Sequence, residues 1–160
     1  MEQMKYTYSM VSKHIGKQKT IALIAHDNQK DEIVAWAKQN KELLQRHFLC
    51  GTGTTARLIA KQTSLPITAY QSGPLGGDQQ IGSRIVDGDI NMVVFFWDPF
   101  ANQGHDPDIK ALLRIAVVYD IPIATNRATA DFLLTSQYMD SDYRMEDVQS
   151  TVRLVPIPGE

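Results

Sequence analysis

"TIALIAHDNQKDEIVAWAKQNKELLQRHFLC", Thr20 to Cys50, reads as a complete strand–helix–strand unit. Its first six residues form a nearly continuous apolar run, the pattern of a strand covered on both faces. Ile33, Trp36, Ala37, Asn40, Leu43 and Leu44 then recur at helical spacing, with Asn40 the one polar exception. That stripe predicts an amphipathic helix from about Gln29 to Arg46. His47–Cys50 reads as a second short strand.

The alternation continues outward from this unit. Gly51–Thr55, "GTGTT", is a turn in which Thr54 or Thr55 is placed to cap a helix running to about Gln62. "PITAY", Pro66–Tyr70, is a third strand. The loop "SGPLGGDQQIG", Ser72–Gly82, carries four glycines, and a helix from about Asp78 to Val86 emerges from it. "NMVVFFW", Asn91–Trp97, is the clearest strand, with Phe95, Phe96 and Trp97 assigned to the core. Asp106 and Pro107 fit the cap and first turn of a helix striped by Ile109, Leu112, Leu113, Ala116 and Val117. "IPIAT", Ile121–Thr125, is a fifth strand and Ala128–Leu134 a short helix. Val152–Ile157 is a candidate added strand or arm. The expected fold is therefore α/β: one domain over residues 20–160, a parallel sheet of about five strands with helices on both faces. Residues 1–19 read as a polar N-terminal extension.

The 160 residues suit a single domain, and 43% hydrophobic with 21% charged content is ordinary for a globular protein. A net charge of −2 supplies no field to attract nucleic acid or a membrane surface. A lone cysteine, Cys50, fits a reducing compartment. With no signal-peptide pattern and no spanning run, the expected location is the cytoplasm.

Right-handed crossovers place every strand-to-helix loop at one edge of such a sheet, where ligands bind in open α/β folds. His26, Asp27 and Lys30 follow the first strand, and Gly51–Thr55 the second. Ser72, Gly73, Gly76, Gly77 and Asp78 follow the third, Asp98, His105 and Asp108 the fourth, and Asn126 the fifth. "GTGTT" opens a helix with backbone N–H groups and three hydroxyls, a natural anion site, or only a turn and cap. Lys30 can add positive charge, and Ser72 with the Gly73 N–H can close the cradle. Asp78 reads either as a helix cap or as a carboxylate that takes a proton from bound substrate. His105 is a surface histidine or a general acid–base group. No second histidine stands at ligand spacing, so no metal site is expected. Cys50 reads as a buried structural thiol. Neither GxGxxG nor the phosphate-loop motif occurs. These features suit proton transfer on a small phosphorylated metabolite.

"IALIAHD" with Lys30, "GTGTT", "QSGPLGGDQQIG", "VFFWDP", "HDPDIKALLR" and "IPIATN" together resemble the methylglyoxal synthase family, in order, from about Thr20 to Leu134. The resemblance implies a lyase that converts dihydroxyacetone phosphate into methylglyoxal and inorganic phosphate, without cofactor or metal. It implies Asp78 as the base, His105 moving protons between substrate oxygens, and Asp98 and Asp108 supporting that network. It implies His26 and Asp27 lining the pocket, with Lys30, Thr52, Thr54, Thr55, Ser72 and Gly73 holding phosphate. Inhibition by phosphate and a homohexamer follow from the same resemblance. The family's C-terminal arginine, which serves a neighbouring subunit's phosphate site, has two candidates here, Arg144 and Arg153. The alternative is a sensor domain of the same fold that binds phosphate or another small effector without chemistry. A nicotinamide-dependent oxidoreductase lacks its glycine fingerprint.

Overall fold

The computed structural model describes residues 7–10, 14–102, 106–144 and 154–157. Its centre is a five-stranded sheet built from β3 (Thr20–Ala25), β4 (Phe48–Gly51), β5 (Ile67–Ala69), β6 (Met92–Phe96) and β7 (Ile123–Ala124). The order is β5-β4-β3-β6-β7, and every neighbouring pair is parallel. The chain starts in the middle, winds outward to β5, then returns to the other side of β3. Strand order therefore reverses between β3 and β6.

Alternation along each strand sorts the core into two layers. Ile21, Leu23, Leu49, Met92, Val94 and Phe96 face α1 (Lys30–Gln39), α3 (Gly53–Thr63) and α6 (Arg127–Leu134) through Ile33, Trp36, Ile59 and Leu134. Ala22, Ile24, Cys50, Val93 and Phe95 face α4 (Gly77–Val86) and α5 (Asp106–Val118) through Ile81, Ile85, Ile109 and Leu112. Both sheet faces are covered, which is why the strands read as apolar runs rather than alternating ones.

Several local expectations change in the fold. The first helix stops at Gln39, and a separate turn of helix, α2 (Lys41–Leu44), follows. Asn40 causes the break: its Nδ2 donates to the Trp36 carbonyl at 2.9 Å, the same acceptor its own N–H uses. Leu44 still reaches the core, so the apolar stripe ran through the break unchanged. Thr52, rather than Thr54 or Thr55, occupies the N-cap position of α3. Asp106 is the first described helical residue of α5. β7 is only two residues long, because Pro122 accepts from the Val93 N–H but has no N–H of its own to extend the ladder. Trp97 is 42% exposed, unlike Phe95 and Phe96, because it lies just past the end of β6.

The segment before Thr20 contributes β1 (Thr7–Met10) and β2 (His14–Ile15), which pair antiparallel with β9 (Leu154–Ile157) and β8 (Tyr143–Arg144). Of the added strand or arm anticipated at Val152–Ile157, the described part, Leu154–Ile157, is a strand partnered by Thr7–Met10. No helix among the described residues is long and apolar enough to cross a membrane.

Cys50 is buried, and burial pushes its thiol up to about 12. The nucleophilic thiolate is scarce in such a setting. Iodoacetamide at pH 8 is expected to leave native Cys50 unlabelled and to label it fully in denaturant; rapid native labelling would contradict the packing.

Candidate active site

A cavity of about 260 Å³ opens at the carboxyl ends of the central strands. Drug-sized ligands occupy roughly 300–1,000 Å³, so this one suits a smaller molecule. Its wall includes His26, Asp27 and Lys30 after β3, Thr52 and Thr54 after β4, and Ser72, Gly73, Pro74 and Asp78 after β5. Ile24, Ala25 and Phe95 form its apolar floor. The site lies beside the strand-order reversal, the position at which open α/β sheets accept ligands.

The glycine-rich loop builds one wall. Ser72 is followed by a 3₁₀ turn, Gly73–Leu75, closed by N–H groups of Leu75 and Gly77 donating to the Ser72 carbonyl. Gly76 takes φ of 98°, a left-handed conformation that glycine adopts without strain, and serves as N-cap of α4. Gly77 packs so closely that a Cβ there would lie 2.0 Å from the Gln71 carbonyl oxygen. Asp78 comes next, inside the first turn of α4 and 2% exposed. It does not hold the cap position.

Opposite, α3 opens onto the cavity. Thr52 makes no capping bond through its side chain. Lys30 Nζ donates to the Ala25 carbonyl at 2.9 Å and lies 3.0 Å from Asp27 Oδ1. Thr55 is set apart from the other hydroxyls: it is buried, and its Oγ1 lies 3.5 Å from that same Ala25 oxygen. It backs the cradle and is not among the lining residues.

A second layer stands behind His26. The Asp98 N–H donates to His26 Nδ1 at 2.9 Å. Asn28 Nδ2 donates to Asp98 Oδ2 at 2.8 Å, and the Phe100 N–H to Oδ1 at 3.0 Å. The Asn28 amide first, then the Phe100 N–H, hold the Asp98 carboxyl below its ordinary range. Phe95 meets the His26 ring edge-on at 5.0 Å. Asp98 therefore supports the wall from behind.

Asp108 is further out: its Oδ1 accepts from Gln79 Nε2 at 3.1 Å, joining α5 to α4. Asn126 is spent as the N-cap of α6, accepting from the Thr129 N–H. His105 and Arg153 lie outside the described residues. Arg144, in β8, is 3.9 Å from Asp142 and is not a lining residue. Sequence reading missed Asn28 and the close approach at Gly77. Asn28 did carry a signal, a polar residue just beyond a buried strand.

Such a cavity can hold a small anion on a lysine and three hydroxyls, and it keeps a buried carboxylate beside the rest of the bound molecule. Comparisons with known proteins identify the family. A family model described as an MGS-like domain matches residues 32–125. A methylglyoxal synthase of Leptospira interrogans is 55% identical over 126 residues, 79% of this chain and 85% of that protein. That of Clostridium acetobutylicum is 55% identical over 129 residues, 81% and 89% of the two chains. That of Vibrio cholerae is 51% identical over 143 residues, 89% and 92%. The crystal structure of methylglyoxal synthase from Elizabethkingia anophelis superposes with a TM-score of 0.80 at 40% identity, covering 89% of this chain and 97% of that one. A parallel sheet wound in this order, a glycine loop delivering a buried aspartate, and relatives of this identity and coverage lead to one assignment: the chain belongs to the methylglyoxal synthase family.

Proposed function

We propose that the protein is a methylglyoxal synthase, a lyase that converts dihydroxyacetone phosphate into methylglyoxal and inorganic phosphate. The observation that carries this reading is Asp78, buried in the same cavity as Lys30, Thr52, Thr54 and Ser72. Those groups, with the Gly73 N–H and with Thr55 behind them, hold the substrate phosphate. Asp78 takes a proton from the hydroxymethyl carbon, and the C–H electron pair forms the enediolate. A lone pair on the oxygen of the former hydroxymethyl carbon then forms the aldehyde C=O, and that oxygen's proton moves to the neighbouring substrate oxygen. The enediolate C=C pair shifts to form a C=C bond to the phosphate-bearing carbon, whose C–O bond breaks with its electron pair leaving on phosphate. The resulting enol takes a proton on carbon and gives up its hydroxyl proton to become methylglyoxal. Elimination needs the breaking C–O bond perpendicular to the enediolate plane, where it overlaps the π system.

His26 and Asp27 line the pocket, His105 shuttles protons between substrate oxygens, and Asp98 and Asp108 support them. A cytoplasmic homohexamer is part of the same reading. Leu75 (73% exposed) and Phe100 (97% exposed), large apolar side chains in the loops after β5 and β6, support an intersubunit contact there.

The alternative, a sensor domain, fits the buried aspartate poorly. A carboxylate inside an anion site repels the ligand, and only chemistry gives it a use. The deciding experiment mixes the protein with dihydroxyacetone phosphate and measures methylglyoxal and phosphate together. Equal release of both is expected; phosphate binding without turnover would favour the sensor.

Lys30 supplies the next test. Lys30→Ala is expected to raise KM and weaken phosphate inhibition together, each by tenfold or more, since a charge-assisted hydrogen bond is worth about 1.5–3 kcal/mol. Unchanged inhibition in a folded variant would place Lys30 outside the anion site.

A further inference from the structure

The loops after β3 and β6 grip each other at two points. His26 accepts the Asp98 N–H, and two residues on, Asn28 donates to the Asp98 carboxylate. One residue of the second loop is thus held at its backbone and at its side chain by residues of the first. The third contact, from the Phe100 N–H, comes from Asp98's own loop and ties it to nothing else.

The first of these bonds fixes the chemistry of the imidazole. A backbone N–H can only donate, so His26 Nδ1 carries no proton, and the neutral ring is protonated on Nε2. We infer that Asn28 is a positioning residue: by clasping the Asp98 carboxylate, it keeps the Asp98 N–H on His26 Nδ1 and locks His26 as its Nε2-protonated tautomer. In this form His26 is a hydrogen-bond donor from Nε2, the nitrogen that would stabilise a developing oxyanion; it does not take up a proton through Nδ1. The clasp is charge-assisted, and it bridges the two loops where strand order reverses. Asn28 is exposed, while the partners it acts through are buried, so its side chain can be changed without opening the core.

The kinetic consequence rests on the proposed function; the tautomer does not. The test uses the full chain with 15N-labelled histidine. Wild type is expected to show His26 as a single Nε2-protonated form. Asn28→Leu, similar in shape but without the donor, is expected to show a mixture of tautomers. Its kcat is expected to fall about tenfold, a part of the ~10²-fold that an ångström of misplacement costs. KM and phosphate inhibition should hold, because the anion cradle is elsewhere, and the variant should stay folded with melting lowered by only a few degrees. Asn28→Asp, which sets a carboxylate against a carboxylate, should lower kcat further. A wild-type tautomer in folded Asn28→Leu overturns the inference whatever the turnover. A mixed tautomer with wild-type kcat overturns its catalytic consequence. Wild-type protein with no turnover sinks the functional reading, and the tautomer comparison alone then decides Asn28.

Discussion

Asp78→Asn is expected to lower kcat by about 10²–10⁴, the usual contribution of a positioned acid–base group. Asparagine matches aspartate in size and still accepts a hydrogen bond, but it cannot take a proton at neutral pH. Phosphate inhibition is expected to persist, because Lys30, Thr52, Thr54 and Ser72 stay in place, and removing a buried negative charge takes nothing from an anion. Melting should move by no more than about 2–4 °C, the shift of roughly 1 kcal/mol in a chain of this size. The three measurements belong on one preparation. A folded Asp78→Asn protein that turns over near the wild-type rate would remove Asp78 as the base, and the buried aspartate would need another explanation.

Gly77→Ala is expected to cost almost as much, though Gly77 performs no chemistry. The added Cβ would lie 2.0 Å from the Gln71 carbonyl oxygen and 2.9 Å from its carbon. These are backbone atoms and cannot swing aside as a side-chain tip would. Either the loop or the start of α4 must move by on the order of an ångström, and Asp78 is the next residue. Misplacement on that scale costs ~10²-fold in rate, and overpacking about 1–3 kcal/mol in stability. Gly82, in the same helix, is the control: a Cβ there meets nothing within 4 Å. Gly82→Ala should leave turnover unchanged and stabilise by up to about 1 kcal/mol, the helix preference of alanine over glycine. Equal behaviour of the two variants would refute the close approach at Gly77.

The contrast between those glycines marks how far sequence carries. Both sit in one glycine-rich run, and nothing local distinguishes them; only the Gln71 backbone, brought alongside by the turn at Ser72–Gly76, makes one indispensable. Sequence by itself determined the five strands of the central sheet, their alternation with helices and the edge at which the candidate site lies. Apolar period is a local property, and right-handed crossovers turn local order into a shared rim. His26, Asp27, Lys30, Thr52, Thr54, Ser72, Gly73 and Asp78 each follow a strand end closely, so that rule was enough to bring them together. Tertiary structure alone decided which neighbours face the cavity. Thr54 lines it while Thr55, one residue on, turns toward the Ala25 carbonyl. Asp98 faces the back of His26, and Asn28 joins it across 70 residues of chain. The strand pair that unites Thr7–Met10 with Leu154–Ile157 is likewise a meeting of the two chain ends. Contacts between residues so distant in sequence leave no period to read, because each partner's local pattern is satisfied equally well without the other.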